Sequence, residues 1–194
     1  MKIPLLIPSL ILLATLLGCG KKLEQEPATS RAKEKVALTP ETKALIETAE
    51  KGNASAQVNL GNMYRTGQGV AKDEVEAVKW YRKAADQGYA KAQLYLGGMY
   101  ANGLGVTKDE VEAVKWFRKA ADQGNAKAQF NLGFMYATGQ GVAKDEVEAY
   151  KWYLLSGAQG NEHAKKKIPL IERDLTAAQR AEGQRLAREW KPKK

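Results

Sequence analysis

The sequence predicts an all-α fold, an α-solenoid of three 36-residue helix-turn-helix repeats with N- and C-terminal capping helices. The main observation is a fixed period, because Trp80, Trp116 and Trp152 recur at intervals of 36 residues. Within each period, apolar residues follow two helical stripes that are separated by a glycine-containing turn. Stacked arrays of this kind typically hold other molecules.

Residues 1–18 predict a cleavable export signal. Lys2 precedes an apolar run that extends from Ile3 to Leu17 and is followed by a small residue. A membrane-spanning anchor is the alternative, but the run is shorter than the roughly 20 apolar residues that a spanning helix needs. We therefore expect the chain to be exported.

The end of this signal, Leu16-Leu17-Gly18-Cys19, resembles the bacterial lipobox. The resemblance implies that Cys19 is acylated, becomes the first residue of the mature chain and anchors it to a membrane. Cys19 is also the single cysteine of the sequence, so it has no disulfide partner within one chain. In bacterial lipoproteins, an aspartate directly after the acylated cysteine commonly retains the protein at the inner membrane. This sequence has Gly20 at that position. This implies a lipid-anchored protein of the bacterial cell envelope, on the outer membrane and facing the periplasm.

Two segments separate the signal from the repeats. Residues 19–39 are polar and contain Pro27, so they are predicted to form a flexible tether. Residues 40–52 align with the second half of the second helix of a repeat, and they are predicted to form the N-terminal capping helix.

Each repeat is predicted to form two helices. In the first copy, helix A spans about residues 54–65 and carries a gap at Gly61 where another helix can approach closely. Gly67 ends helix A, and helix B spans about residues 74–87. Asp73 and the glutamate three residues later have the spacing of a capping box at the start of helix B. The repeats are predicted at residues 53–88, 89–124 and 125–160.

The residues shared by the three copies resemble the Sel-one-like repeat (SLR) family, a branch of the tetratricopeptide-repeat-like superfamily. The resemblance covers residues 53–160. It implies a non-enzymatic protein-interaction module in which the A helices line a concave groove. In the first copy the shared residues are Ala56, Leu60, Gly61, Tyr64, Gly67, Gly69, Val70, Asp73, Ala77, Trp80, Tyr81, Ala84, Ala85 and Gly88.

Residues 161–194 are predicted to form C-terminal capping helices and a basic tail. The segment restarts a helix A, but Pro169 replaces the glycine of the Leu-Gly pair and is expected to kink or shorten that helix. Leu186 and Trp190 lie four residues apart on one face of the last helix, which resembles the final capping helix of bacterial SLR proteins.

The formal net charge of +9 is concentrated in the same C-terminal segment, which carries ten basic and five acidic residues. The repeats themselves have mixed charge and show no nucleic-acid-binding motif, so we expect no nucleic-acid partner. Weak contact of the tail with anionic lipid or cell-wall polymer is one interpretation. The other is a solvated face on a capping helix.

No pattern in the sequence predicts catalysis, a metal site or a cofactor. The turns at Gly67, Gly103 and Gly139 lack the Lys-Ser/Thr of phosphate loops and recur as helix-ending turns. His163 is the single histidine and has no cysteine near it. We therefore expect it to be a solvated residue and not a metal ligand. The acidic residues around Asp73 recur in every copy, which favours helix capping over a catalytic pair.

Specificity is expected where the copies differ. Counted from the first variable position of helix A, the other variable positions lie 3, 4, 7 and 10 residues further along the chain. Most of them share one helical face. Tyr95 and Phe134 are predicted as aromatic anchors. The alternative is that Leu94 and Phe130 belong to the core and that Tyr95 only packs on its neighbours. The family's carboxylate-binding pattern often has a lysine at the position that Val58 occupies, so this sequence matches the pattern only in part. The residues predicted to bind a partner are Asn59, Asn62, Lys91, Tyr95, Lys127, Asn131 and Phe134.

The favoured hypothesis is therefore a lipid-tethered adaptor that binds a protein or peptide partner through the A helices. One alternative is a hydrolase acting on cell-wall or β-lactam substrates. Another is a binder of peptidoglycan or anionic lipid that uses the basic tail.

Overall fold

The computed structural model describes residues 38–193, and every regular element within that range is an α-helix. The predicted tether up to residue 37 and Cys19 lie outside the described residues. No helix in the described range is both long and apolar enough to cross a bilayer. The helices are α1 Pro40–Glu50, α2 Ala54–Thr66, α3 Glu74–Asp86, α4 Ala90–Asn102, α5 Glu110–Asp122, α6 Ala126–Thr138, α7 Glu146–Ala158, α8 Glu162–Asp174 and α9 Ala177–Glu189.

The helices pack as three consecutive hairpins, α2 with α3, α4 with α5 and α6 with α7, and each hairpin also packs against the next. The predicted α-solenoid of three helix-turn-helix repeats is thereby confirmed. Helices A of the three repeats are α2, α4 and α6, and helices B are α3, α5 and α7. Their bounds differ from the predicted ones by a single residue at the C-terminal ends in the first copy.

Helix B begins at an aspartate cap in every repeat. The Asp73 carboxylate accepts hydrogen bonds from the backbone N–H groups of Val75 and Glu76, both at 3.1 Å. The predicted capping box is wrong in its second half, because the Asp73 N–H donates to the Tyr64 carbonyl at 2.8 Å. The Glu76 side chain instead pairs with Lys79. The end of helix A thus satisfies the donor that a capping box would satisfy.

The Gly-x-Gly turn after helix A has two different roles. Its first glycine ends the helix in the left-handed conformation, with φ +67° at Gly103, as predicted. Its second glycine, Gly105, has φ +66° and lies against the preceding repeat. A β-carbon on Gly105 would be 2.1 Å from the carbonyl oxygen of Glu74, at the first turn of α3. The turn therefore lets two repeats stack in backbone contact.

The predicted gap at Gly61 is filled by an aromatic ring of the facing helix. A β-carbon on Gly61 would lie 2.7 Å from Cε1 of Tyr81, and one on Gly97 would lie 2.7 Å from Cδ1 of Phe117. The third repeat has the same arrangement with Tyr153. The glycine thus lets helices A and B of one hairpin close around a buried ring.

A ladder of buried glutamines connects the hairpins. Gln93 is 4% exposed, and its amide nitrogen donates to the Ala85 carbonyl at the end of the preceding helix B. Its amide oxygen accepts from Gln123, 30 residues later, at 2.8 Å. Gln57 and Gln129 make the equivalent contacts in the other two repeats. Because all three buried amides are satisfied, they fix the register between neighbouring repeats.

The C-terminal cap departs from the repeat geometry. Only Leu175 and Thr176 separate α8 from α9, whereas a seven-residue turn joins the helices of each repeat, and α9 packs against α7. Tyr150 holds this cap, because its hydroxyl donates to the Glu172 carboxylate at 2.5 Å and accepts from Gln184 at 3.3 Å.

Helix α8 has the same 13 residues as the helices of the repeats, so Pro169 does not shorten it as expected. The expectation rested on the backbone donor that a proline lacks. Pro169 is exposed, so the interrupted hydrogen bond lies on the solvent side of α8. Trp190 follows α9 as its C-cap residue, and its ring lies 6.3 Å from that of Trp152.

Candidate functional site

An open groove of about 820 Å³ runs along the A helices. We call it the aromatic groove. Helices α4 and α6 contribute most of its walls, Arg65 closes one side, and the turn between α7 and α8 closes another. It is lined by Arg65, Tyr81, Leu94, Tyr95, Gly98, Met99, Asn102, Leu104, Ala126, Lys127, Phe130, Asn131, Gln159, Gly160, Asn161, Glu162 and His163.

Aromatic rings form the apolar walls of this groove. Tyr95 lies 5.2 Å from Tyr81 between ring centroids, and the planes are tilted by 45°. On α6, the ring of Phe130 lies 5.7 Å from Tyr153 and 5.8 Å from His163. Tyr95 and Phe130 are both half-buried. Both pack against the core and also line the groove, which gives rigid apolar contact area to a ligand.

The charged side chains that line the groove are Arg65, Lys127 and Glu162. The hydroxyl of Tyr81 donates to the Asn62 side-chain oxygen at 2.7 Å. Burial raises the pKa of Tyr81, and a hydrogen bond from Arg65 opposes that rise. Glu162 is the single carboxylate in the lining, and Lys165 binds it at 2.8 Å and lowers its pKa. The groove is therefore cationic at neutral pH.

A second, smaller opening of about 210 Å³ lies between α6 and α8, and we call it the apolar cleft. Phe134 and Leu170 are its exposed apolar side chains, with exposed fractions of 38% and 48%. Tyr153 and Ile171 form a buried floor, and burial raises the pKa of Tyr153 to about 12. Four charged side chains also line it, and Lys144 pairs with Glu146 at 2.7 Å. The four are Lys144, Glu146, Lys167 and Asp174.

The structure brings together only some of the predicted partner-binding residues. Tyr95, Lys127 and Asn131 line the aromatic groove, and Phe134 lies in the neighbouring apolar cleft. Their role in binding stays a prediction. The remaining three predicted residues, Asn59, Asn62 and Lys91, line neither opening.

Two of these three are simply exposed, Asn59 and Lys91. Asn62 is half-buried and engaged by Tyr81, so it positions that ring at the groove. Of the two residues with an alternative core role, Leu94 is buried in the core and also touches the groove, whereas Phe130 is half-buried.

Sequence reasoning missed His163 and Leu170 as members of this surface. His163 was expected to be solvated, and it is exposed, but its ring stacks near Phe130 at the edge of the groove. Leu170 follows Phe134 by 36 residues. Continuing the repeat period into α8 would have identified Leu170, because the same helical position carries the variable residues Asn62, Gly98 and Phe134.

The described residues offer no cluster of three or more side chains that could hold a metal ion. The glycine turns contact helix starts of neighbouring repeats, and the recurrent aspartates are occupied as helix caps. Both groups therefore have structural roles. The geometry suits non-covalent recognition.

Several basic groups of the C-terminal segment have internal partners. Lys193 binds the Asp122 carboxylate at 2.7 Å, and its backbone N–H donates to the Asp122 carbonyl at 2.8 Å. Arg185 lies between Glu182 and Glu189. The segment thus lies back along α7 to the end of α5. Contact of this tail with an anionic surface stays a prediction.

Comparison with solved structures found several helical repeat proteins. A Sel1 repeat protein from Oxalobacter formigenes is 42% identical, with a TM-score of 0.64, over 66% of this chain and 53% of that protein. The protective antigen c5321 of uropathogenic Escherichia coli, which has an SLR fold, is 36% identical with a TM-score of 0.73. The match covers 78% of this chain and 33% of that antigen. This chain therefore spans about half and one third of the lengths of these two proteins.

Cysteine-rich protein B of Helicobacter pylori is 23% identical over 66% of this chain and 96% of that protein, with a TM-score of 0.53, which shows the fold alone. Comparison with curated proteins gave no match. The Sel1 repeat profile matches residues 54–89, 90–125 and 126–161, each one residue later than the predicted repeat. Because these matches cover more than half of the chain, it belongs to the Sel1 repeat family.

Proposed function

We propose that this chain is a non-enzymatic adaptor of the bacterial cell envelope that binds a protein or peptide through its A helices. Sel1-repeat proteins are generally protein-interaction modules, and their fold is generally a scaffold without catalytic activity. The aromatic groove carries the proposal, because residues that vary between otherwise similar copies converge there. Its volume of about 820 Å³ lies within the roughly 300–1,000 Å³ of typical ligand sites.

The first prediction concerns the aromatic anchors. Truncating Tyr95 and Phe134 to alanine together should lower the affinity for the partner at least tenfold, because each buries a large ring at the interface. The fold should persist, since neither residue is fully buried. A photocrosslinking amino acid placed at Tyr95 in intact cells should give adducts that mass spectrometry identifies, and the identified partner allows the affinity to be measured.

Val111 provides the matched control for this experiment. It is 54% exposed on α5 and lines neither the groove nor the cleft. The crosslinker at Val111 should give no adduct with the same partner, and Val111→Ala should bind normally. Unchanged affinity of the Tyr95→Ala, Phe134→Ala variant, with its helical circular dichroism intact, would rule out the groove as the binding surface.

The envelope tether is the second part of the proposal. It is supported by the resemblance of residues 16–19 to a lipobox and by the single cysteine of the chain. Cys19→Ser should abolish incorporation of labelled palmitate and move the protein from the detergent phase to the aqueous phase in Triton X-114 partitioning, because more than one acyl chain is needed for stable anchoring.

A substitution at the residue after Cys19 tests which membrane the protein is anchored to. If the outer membrane is the destination, Gly20→Asp should keep the label but shift the protein to the inner-membrane fraction of a density gradient. Labelling of Cys19→Ser equal to the wild type would refute lipidation. An inner-membrane location of the unaltered protein would refute the outer-membrane assignment.

A further inference from the structure

The aromatic groove and the apolar cleft are consecutive sites along helix α6. Lys127, Phe130 and Asn131 of α6 line the groove, and Phe134 and Thr138 of the same helix line the cleft. A ligand that follows α6 therefore meets a cationic site first and then two exposed apolar side chains, Phe134 and Leu170.

In the described helices, the repeat position that forms this site carries a large apolar side chain only in α6 and α8. The exposed position that holds Phe134 in α6 and Leu170 in α8 holds Asn62 in α2 and Gly98 in α4. A β-carbon on Gly98 would meet no atom within 4 Å, so the surface is open there. Two large exposed apolar side chains on neighbouring helices offer burial to one large apolar side chain of a partner.

The basic side chains of the groove have no carboxylate partner among the described residues. Within residues 38–193, Lys127 and Arg65 each lie beyond ion-pair distance of any carboxylate, whereas the single carboxylate of the groove, Glu162, is paired with Lys165. Lys91 occupies the same repeat position as Lys127 one copy earlier, is also exposed, and lies outside the groove. The groove is thus complementary to a carboxylate, with Lys127 as the group that distinguishes it from the previous repeat.

We propose that the groove and the cleft together bind one extended acidic segment, with a carboxylate at Lys127 and a large apolar side chain at Phe134 and Leu170. This inference rests on the proposed adaptor function and specifies the chemistry of its partner. Residues 127 and 134 are seven positions apart on a helix, or about 10 Å at roughly 1.5 Å per residue. An extended peptide covers that distance in about three residues at roughly 3.3 Å each. The recognised segment therefore carries Asp or Glu two to four positions from Phe, Leu, Tyr or Trp.

A peptide display selection against the purified full chain in mild detergent tests this pattern. Selected peptides should be enriched in an acidic residue two to four positions from a large apolar one. For such a peptide, fluorescence anisotropy should show that Lys127→Ala weakens binding about three- to fivefold, as expected for an exposed ion pair. Phe134→Ala should weaken it tenfold or more through lost apolar contact.

Lys91→Ala is the matched control and should leave the affinity unchanged. Replacing the peptide's acidic residue by its amide should weaken binding as much as Lys127→Ala does, with no further loss when both changes are combined. Added salt should weaken binding to the wild type and have little effect on Lys127→Ala.

The two ideas fail in different ways. Peptides that lose affinity with Tyr95→Ala but lack the acidic and apolar pair, or that respond equally to Lys91→Ala and Lys127→Ala, would overturn this inference and leave the adaptor function standing. If every selected peptide binds Tyr95→Ala and Phe134→Ala as well as the wild type, both proposals are wrong.

Discussion

Gly105→Ala is expected to destabilise the array by about 2–5 kcal/mol. The left-handed backbone at φ +66° costs roughly 1–2 kcal/mol for a residue with a β-carbon. The new β-carbon would also be 2.1 Å from the carbonyl oxygen of Glu74. Backbone cannot rotate away as a side chain does, so the two repeats must separate, and overpacking of this kind costs about 1–3 kcal/mol more. Urea unfolding followed by far-ultraviolet circular dichroism measures the change.

Gly88→Ala is the control that separates the cost of backbone strain from the cost of a steric clash between repeats. Gly88 has φ +85°, but its β-carbon would meet no atom within 4 Å. Its expected cost is the backbone strain alone, about 1–2 kcal/mol. Equal losses for Gly88→Ala and Gly105→Ala would contradict the view that the second glycine of the turn is needed for contact between repeats. Gly141 makes the same contact with Glu110, so Gly141→Ala should repeat the result at the next junction.

Trp116→Ala is expected to cost about 3–5 kcal/mol, because it removes a large side chain from the middle of the array. Trp116 is 5% exposed and packs in a core cluster with Tyr81, Ala84 and Leu96. The Lys119 ammonium group lies 4.0 Å from its ring centroid, so the substitution also removes a cation–π contact. Each repeat contacts only its neighbours, so loss of the middle core should broaden or split the urea transition.

Trp116→Phe provides the control for the shape of the side chain. The indole N–H of Trp116 is a buried donor without a hydrogen-bond acceptor in the described part of the chain. Phenylalanine keeps a ring and removes that unsatisfied donor, so its cost should stay below about 1.5 kcal/mol. A loss with phenylalanine as large as with alanine would show that the indole contributes a specific contact and not mainly volume.

The repeats explain how one array provides both a scaffold and a site. Positions that bury a ring, cap a helix or join two repeats are the same in each copy, as with Gly97, Asp109 and Gln93. The other positions of the A helices have none of these roles, so they can vary between copies without disturbing the packing of the helices. Tyr95 and Phe130 are such positions, and their rings reach the groove because the shared residues hold the helices that carry them.

Much of the fold could be predicted from the sequence because its signals are local and occur three times. Helix bounds follow from Asn53, Asp73 and Gly67, which satisfy or end the helix backbone through contacts with their own neighbours in the chain. The close approach at Gly61 was also predictable, since a small residue in an apolar stripe leaves space for a facing helix. The role of the second glycine was not, because its contact lies in another repeat.

By itself the sequence determined the period, the two helices of each repeat and the set of variable residues from which a site could be built. Only the tertiary structure decided which members of that set converge, so that Lys127 lines the groove and Lys91 does not. It also placed α9 against α7, where Tyr150 anchors it, and left Pro169 exposed. The physical reason is that helix formation depends on neighbours within about four residues, whereas a groove depends on how helices more than thirty residues apart pack together.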